Sequence, residues 1–217
     1  MKVTLNKKIL EKNQECALAN SAFFADNNVR CFNVISSPGS GKTAVLAKTV
    51  TDLKDKFKIA VIEGDLKTDN DSRRIQAAGA PAVQIETRGS CHLSAKQVTE
   101  CLGKLGAADM DIVFIENVGN LICPSDFDLG EQGRIIVLSI PEGDDKPEKY
   151  PGTFAKADVV LINKIDLIDY IDFDIEKAAG DIAALNPNAK IFQVSATTGS
   201  GMEDFYTWLI QQANNAK

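Results

Sequence analysis

Short apolar runs rich in β-branched residues recur along this chain, and helical patterns fill most of the spaces between them. The runs are Arg30 to Ser36, Lys58 to Glu63, Ala82 to Ile85, Asp111 to Glu116, Arg134 to Ile140, Asp158 to Ile162 and Lys190 to Val194. The helical patterns cover the stretch from Lys42 to about Lys56, then Thr68 to Ala78, Ser94 to Leu105, Asp174 to Leu185 and Met202 to Asn214. Leu93, Val98, Leu102 and Leu105 show the spacing of one helix face, and Ser94 is placed to cap it. Continuous apolar strands alternating with helices predict an α/β fold, a mostly parallel sheet covered by helices on both faces. Residues 7 to 26 carry Ile9, Leu10, Ala17, Leu18, Phe23 and Phe24 among polar residues, and Asn27-Asn28 ends the pattern. Residues 1–28 are therefore expected to be a helical extension of a single domain spanning 1–217, packed on that domain or on a partner. Right-handed crossovers bring the C-terminal ends of parallel strands to one edge, so Ser36, Asp65, Glu116, Asn163 and Ser195 should converge there. The segment Pro141 to Pro147 is turn-rich and charged and predicts a solvated, mobile loop.

The first run leads into Ser36-Ser37-Pro38-Gly39-Ser40-Gly41-Lys42-Thr43, and a helical pattern begins at its end. Strand, glycine loop and helix together make a phosphate site of the P-loop NTPase fold. Gly39 and Gly41 let backbone N–H groups close around an anion, with Ser40 and Ala44 in the same cradle. The helix starting at Lys42 aims its positive end at the same point. Lys42 would reach the β- and γ-phosphates, and the Thr43 hydroxyl would ligand Mg²⁺. Ser36 stands where the usual pattern has its first glycine, which puts the turn out of the strand in question.

Asn163-Lys164-Ile165-Asp166 follows the sixth run. Guanine presents two adjacent donors, and the two oxygens of the Asp166 carboxylate match them; adenine would leave that carboxylate unpaired. GTP is thus the expected nucleotide. The Lys164 stem would lie along the base plane, Asn163 would pin neighbouring loops, and Ser195 and Ala196 would reach the base through backbone N–H groups. Asp65 and Glu116 are read as closing strands next to the P-loop strand, where either can hold Mg²⁺ or orient the attacking water. Lys42, Asp65 and Glu116 form the candidate catalytic set, and the Gly119 N–H is placed to sense a γ-phosphate. Asn120 stands where Ras-like proteins have a water-orienting glutamine, and Arg73 and Arg74 are the arginines near the site. Slow, switch-like turnover is expected.

The 217 residues carry a net charge of −6, which argues against a nucleic-acid binder. No apolar run approaches a membrane span, and charges interrupt the N-terminal pattern, so a cytoplasmic protein is expected. The five cysteines show no CxxC pair, which favours reduced thiols. Cys91-His92 holds the single histidine, and Cys123 lies four residues past Gly119. Thiolate and imidazole suit Ni²⁺ or Zn²⁺, provided Cys91 and His92 sit in a loop, where neighbours can share an ion. Spacing alone leaves metal binding and plain packing both open. Three ligands also fall short of four, leaving a water, the start of a segment or a second subunit to complete a site. For Cys16, Cys31 and Cys101 packing is favoured.

These residues together resemble the hydrogenase nickel-incorporation GTPases, the HypB family. The resemblance rests on residues 36–43, Glu63-Gly64-Asp65, Cys91-His92, Glu116 to Pro124, Pro141 to Pro147 and Asn163 to Asp166, and spans about Arg30 to Trp208. It implies a GTPase that helps load nickel into the large subunit of [NiFe]-hydrogenase, working with a small zinc- and nickel-binding partner, HypA. It also implies a GTP-favoured homodimer with Ni²⁺ or Zn²⁺ held by Cys91, His92 and Cys123 at its interface, so that two chains supply six ligands. The cysteine-rich and histidine-rich N-terminal stretches of some members have no counterpart here, so nickel storage is not expected. Two other readings remain: a GTP-gated metal-binding scaffold with incidental turnover, and an accessory GTPase for another metalloenzyme such as urease. Cys91-His92 and Cys123 argue against the second. Gly119 and Cys123 share one short segment, which would couple metal geometry to nucleotide state.

Overall fold

The computed structural model describes residues 3–65, 70–87 and 89–215, with the backbone alone described for residues 3–9 and for Asp65. Its strands are β1 (Arg30–Ser36), β2 (Ile59–Asp65), β3 (Ala82–Glu86), β4 (Ile112–Glu116), β5 (Gly133–Ser139), β6 (Val159–Asn163) and β7 (Lys190–Val194). Its helices are α1 (Val3–Asp26), α2 (Lys42–Leu53), α3 (Asn70–Ala78), α4 (Ala95–Leu105), α5 (Cys123–Asp126), α6 (Lys146–Lys149), α7 (Pro151–Phe154), α8 (Ile175–Leu185) and α9 (Met202–Asn214). Element boundaries thus lie close to those the hydrophobic pattern predicts. The predicted start of α3 at Thr68 lies outside the described residues.

Among the described residues the strands form one parallel sheet in the order β3-β2-β4-β1-β5-β6-β7, with β1 at its centre. Alternate residues of each strand feed opposite faces. Phe32, Val34, Val61, Phe114, Val137 and Leu161 pack on one face against Leu46 and Val50 of α2, Ile75 of α3 and Phe205 and Leu209 of α9. The other face has two cores. Cys31, Ile62 and Ile115 lie against Phe24 of α1 and Val98 and Leu102 of α4. Ile136, Val160 and Ile162 lie against Phe154 of α7 and Ile182 of α8. Burial on both sides explains why these strands read as unbroken apolar runs.

Two expectations change. β2 is not beside the P-loop strand: β4 lies between them, so only Glu116, of the two carboxylates, closes a strand adjacent to β1. The segment Pro141 to Pro147 is folded rather than a free loop. Ser139 and Glu142 form a capping box, Lys146 begins a short helix, and Asp144 accepts hydrogen bonds from the Asp174 N–H and Lys177 Nζ.

α1 packs on its own sheet through α4. Asn20 is buried, donates to the Ala95 and Leu129 carbonyls at 2.9 Å each, and accepts from the Thr99 hydroxyl at 2.7 Å. Asn13 adds a donor to the Asp128 carbonyl and an acceptor for the Ala95 N–H. Gly130 faces the helix with φ +87°, and a Cβ there would lie 2.4 Å from the Ala17 carbonyl oxygen. Asn20→Ala removes the side-chain donor of the Leu129 carbonyl, while the Thr99 hydroxyl and the Ala95 carbonyl keep each other as partners, and is expected to cost roughly 1–3 kcal/mol. Urea unfolding checks this; an unchanged midpoint would mean α1 contributes nothing to the cooperative unit.

Candidate functional site

The glycine loop joins the C-terminal end of β1 to α2, at the middle of the sheet edge. Gly41 precedes α2 with φ +94°, and a Cβ there would meet Asn163 Nδ2 at 2.7 Å, so both backbone and space demand glycine. Ser36 needs no glycine. Among the described residues only Asn28 and Lys164 take positive φ without being glycine, so the turn out of β1 is made in ordinary backbone. The buried Ser36 hydroxyl instead accepts a 2.9 Å hydrogen bond from Lys42 Nζ and donates to the Ser37 carbonyl.

Thr43 donates its hydroxyl to Glu116 Oε1 at 2.8 Å. Glu63 and Glu116 are register partners on β2 and β4, and both are buried. Burial, then the charge of Glu116 beside it, pushes the Glu63 carboxyl up to about 10. Burial also raises Glu116, opposed by the Lys42 charge and the Thr43 hydrogen bond. The protonated Glu63 carboxyl bonds Glu116, and beyond that pairing Glu63 Oε1 and Glu116 Oε2 meet no donor. A hydroxyl beside two buried carboxyls is a donor set that fits Mg²⁺. A cavity of about 390 Å³ opens here, lined among others by Lys42, Thr43, Glu116, Gly119, Asp71 and Arg74. The Asp65 backbone ends β2 at this edge; its side chain lies outside the described residues. Glu63 was not among the sequence candidates. Its signal was an apolar strand ending in a buried charge one position before Gly64.

On the base side, Asn163 Nδ2 donates to the Ser40 carbonyl at 2.9 Å, and its Oδ1 accepts from the Ala196 N–H at 3.2 Å. It thus ties two loops together. Lys164 Nζ donates to the Gly39 carbonyl at 2.6 Å, which lays its stem across the glycine loop. The Asp166 carboxylate accepts from the Ser195 hydroxyl. The Ser195 N–H bonds the Ser200 carbonyl, so in this structure both N–H groups expected at the base have partners within the protein. What Ser195 adds is its side chain, which orients Asp166.

Cys91 and His92 lie in the loop between β3 and α4, and Cys123 opens α5. Their ligand atoms all lie within 4.8 Å of one another, with Cys91 Sγ 3.6 Å from His92 Nδ1. The choice that spacing left open thus acquires a geometry: two thiols and an imidazole converge, a donor set that fits Ni²⁺ or Zn²⁺. His92 stacks on Phe127 at 3.7 Å between ring centroids, which fixes the ring plane. A hydrogen bond with Cys123 is the chief cause raising the Cys91 thiol, so metal binding there would release a proton. Cys31 and Cys101 are buried packing residues, as expected. Cys16 is partly buried and lines a cavity with His92 and Phe127, apart from the donor cluster.

Nucleotide and metal candidates adjoin. A second cavity of about 360 Å³ is bounded by Ser37 and Pro38 on one side and by Cys91, Gly119 and Ile122 on the other. Gly119 abuts the glycine loop so closely that a Cβ would lie 3.1 Å from Pro38 Cα.

Comparison with known proteins shows which family the chain resembles in sequence and fold. The CobW/HypB/UreG nucleotide-binding domain matches residues 31–193. The hydrogenase maturation factor HypB of Escherichia coli K12 is 48% identical over 204 residues, which cover 94% of this chain and 70% of that protein. The crystal structure of HypB from Archaeoglobus fulgidus superposes with a TM-score of 0.88 at 37% identity, covering 94% of this chain and all of the other. HypB from Helicobacter pylori, crystallised in complex with nickel, also gives a TM-score of 0.88, at 39% identity over 94% of this chain and 96% of its own.

The buried carboxyl pair makes a prediction about pH. Folded Glu63 holds its proton to about pH 10, whereas unfolded it would lose it near 4.3. Across that window the folded state binds more protons, so its contribution to stability is complete below the unfolded pKa and is lost as pH rises. Glu63→Gln should raise the stability of the nucleotide-free protein at pH 8 and flatten the decline between pH 5 and 9. Urea midpoints across that range check it, and a slope matching the wild type would count against the protonated pair.

Proposed function

The chain belongs to the HypB group of the CobW/HypB/UreG nucleotide-binding family, and on that premise we propose that it is a GTP-hydrolysing nickel chaperone for [NiFe]-hydrogenase maturation. Gly39, Ser40, Gly41 and Ala44 would cradle the phosphates with Lys42, and Asp166, held by Ser195, would read guanine. Thr43, Asp65 and Glu116 would hold Mg²⁺, which supplies charge neutralisation at the β- and γ-phosphates. Glu63, the register neighbour of Glu116, joins this group as a candidate. Cys91, His92 and Cys123 would carry Ni²⁺ as cargo, or Zn²⁺.

The observation that carries this reading is the convergence of those three donors within 4.8 Å, with Cys123 four residues along the chain from a glycine packed on the phosphate loop. A γ-phosphate that draws on the Gly119 N–H would move Cys123 with it, and the coupling is reciprocal. Cys91 and Ile122 are exposed beside the cluster, a face suited to a second copy that would complete the ligand set when GTP is bound. A HypA-type protein and the hydrogenase large subunit are the proposed partner and client.

The test is Ni²⁺ affinity and oligomeric state with GDP and with a non-hydrolysable GTP analogue. A change in affinity of at least fivefold, with dimer in the analogue-bound form, is expected. Equal affinity with unchanged stoichiometry would sink the coupling. Cys123→Ala should lose Ni²⁺ binding by more than tenfold while keeping GTP affinity within about twofold.

A further inference from the structure

The metal donors sit on loops rather than on the sheet, so their mutual geometry needs another source. Asn117 follows Glu116 directly and is 1% exposed. Its backbone N–H bonds the Val34 carbonyl of β1 at 3.0 Å. Its side-chain oxygen accepts from two backbone N–H groups, Leu93 at 3.1 Å and Val118 at 3.0 Å. Leu93 adjoins His92, and Val118 adjoins Gly119. One amide oxygen therefore joins the loop bearing Cys91 and His92 to the segment bearing Gly119 and Cys123.

The amide nitrogen is anchored in turn. Asn117 Nδ2 donates to Asn33 Oδ1 at 3.2 Å, and Asn33 Nδ2 donates to Glu131 Oε1 at 3.2 Å. Glu131 pairs with Arg134 Nε at 2.7 Å, and Arg134 Nη1 donates to the Ser125 carbonyl at 2.9 Å. Ser125 lies two residues past Cys123 in α5. The chain of bonds thus starts beside one metal-donor segment, crosses β1 next to the phosphate loop, and returns to the other. Outside it, Asn120 makes a looser second tie, donating to the Cys91 carbonyl at 3.4 Å and accepting from the Ile122 N–H at 2.8 Å.

We propose that Asn117 is the positioning residue that ties the Cys91–His92 loop to the nucleotide-sensing segment, so that the metal donors and Gly119 move as one body. The proposal rests on the nickel-chaperone reading above and adds the part that transmits the motion. Asn117 also lines the 390 Å³ cavity beside Glu116, but in this role it acts through Leu93 and Val118. Buried amide networks with every polar atom paired are suited to such work, because breaking one bond strands a buried group.

The test compares Asn117→Leu, Asn117→Asp and Cys123→Ala with the wild type, by Ni²⁺ titration in the presence of GDP and of a non-hydrolysable GTP analogue. The near-ultraviolet thiolate-to-Ni²⁺ absorption reports donor geometry, and GDP affinity reports an intact fold. Asn117→Leu removes both acceptor bonds. It should weaken Ni²⁺ binding about tenfold, shift the absorption band, and bring the affinities in the two nucleotide states to within twofold of each other, with GDP affinity retained. Asn117→Asp keeps both acceptors and should stay within about threefold of wild-type Ni²⁺ affinity, whatever it costs in stability. If Asn117→Leu binds no GDP, Asn33→Val replaces it: it frees the amide nitrogen, and a smaller loss in the same direction is expected. Wild-type Ni²⁺ affinity and band in Asn117→Leu, beside lost binding in Cys123→Ala, would overturn the positioning role and leave the metal site standing. An equal loss in the Asp and Leu variants would also overturn it. No loss in Cys123→Ala would overturn the metal site and this inference together.

Discussion

Beneath the glycine loop, one lysine and two carboxyls lie buried where water cannot solvate their charges. Each has found a partial answer. Lys42 leans on the Ser36 hydroxyl, Glu116 accepts from Thr43, and Glu63 keeps its proton. The Lys42 and Glu116 charges also offset each other. The central position of β1, with β4 and then β2 beside it, fixes the three groups on one edge, and cores on both faces of the sheet prevent them from relaxing apart. A polyphosphate would supply an anion to Lys42, and a divalent cation would supply charge to the carboxyls. Whatever binds only the folded form also stabilises it, so the fold and its ligand are thermodynamically linked.

The candidate metal-donor cluster follows a different logic. Its three donors come from a loop and from the first turn of a four-residue helix, neither of which has the rigidity of the sheet. Their neighbours are the contacts that could fix where the donors sit. His92 is held flat by Phe127, and the backbones beside His92 and Gly119 meet at one amide oxygen. A site on loops can respond to small displacements, whereas a site on strands could not. Gly119, on the segment that leads to Cys123, abuts Pro38 of the glycine loop.

The alternation of apolar runs with helical patterns made most of the elements legible, because strands buried on both faces leave an unmistakable signature. Strand order was not legible. Sequence adjacency suggested that β2 lies beside β1, but β4 inserts between them, and nothing local to either strand encodes that. Glu63 was missed for the same reason: it becomes notable only when register sets it opposite Glu116, 53 positions later in the chain. The Pro141 to Pro147 segment looked like a solvated loop because its partners, Asp174 and Lys177, lie about thirty residues away. Cys91-His92 and Cys123 could be listed from the sequence, yet their convergence depends on a loop and a short helix whose approach no periodicity reports.

Charge and amide are divided between two tasks in this protein. Buried ionisable groups gather where ligands would meet them: Lys42, Glu63 and Glu116. Buried asparagines gather where loops must be held. Asn20 fixes α1 to α4, Asn163 fixes the glycine loop to the last strand's loop, and Asn33 with Asn117 spans the metal-bearing segments. An amide carries donor and acceptor on one neutral group, so it can cross-link backbone without the desolvation cost of an ion. A carboxylate in the same places would lack the donor and add a charge that competes with Glu63 and Glu116 for any cation. Keeping the scaffold neutral leaves the electrostatics of the edge to the groups that face ligands.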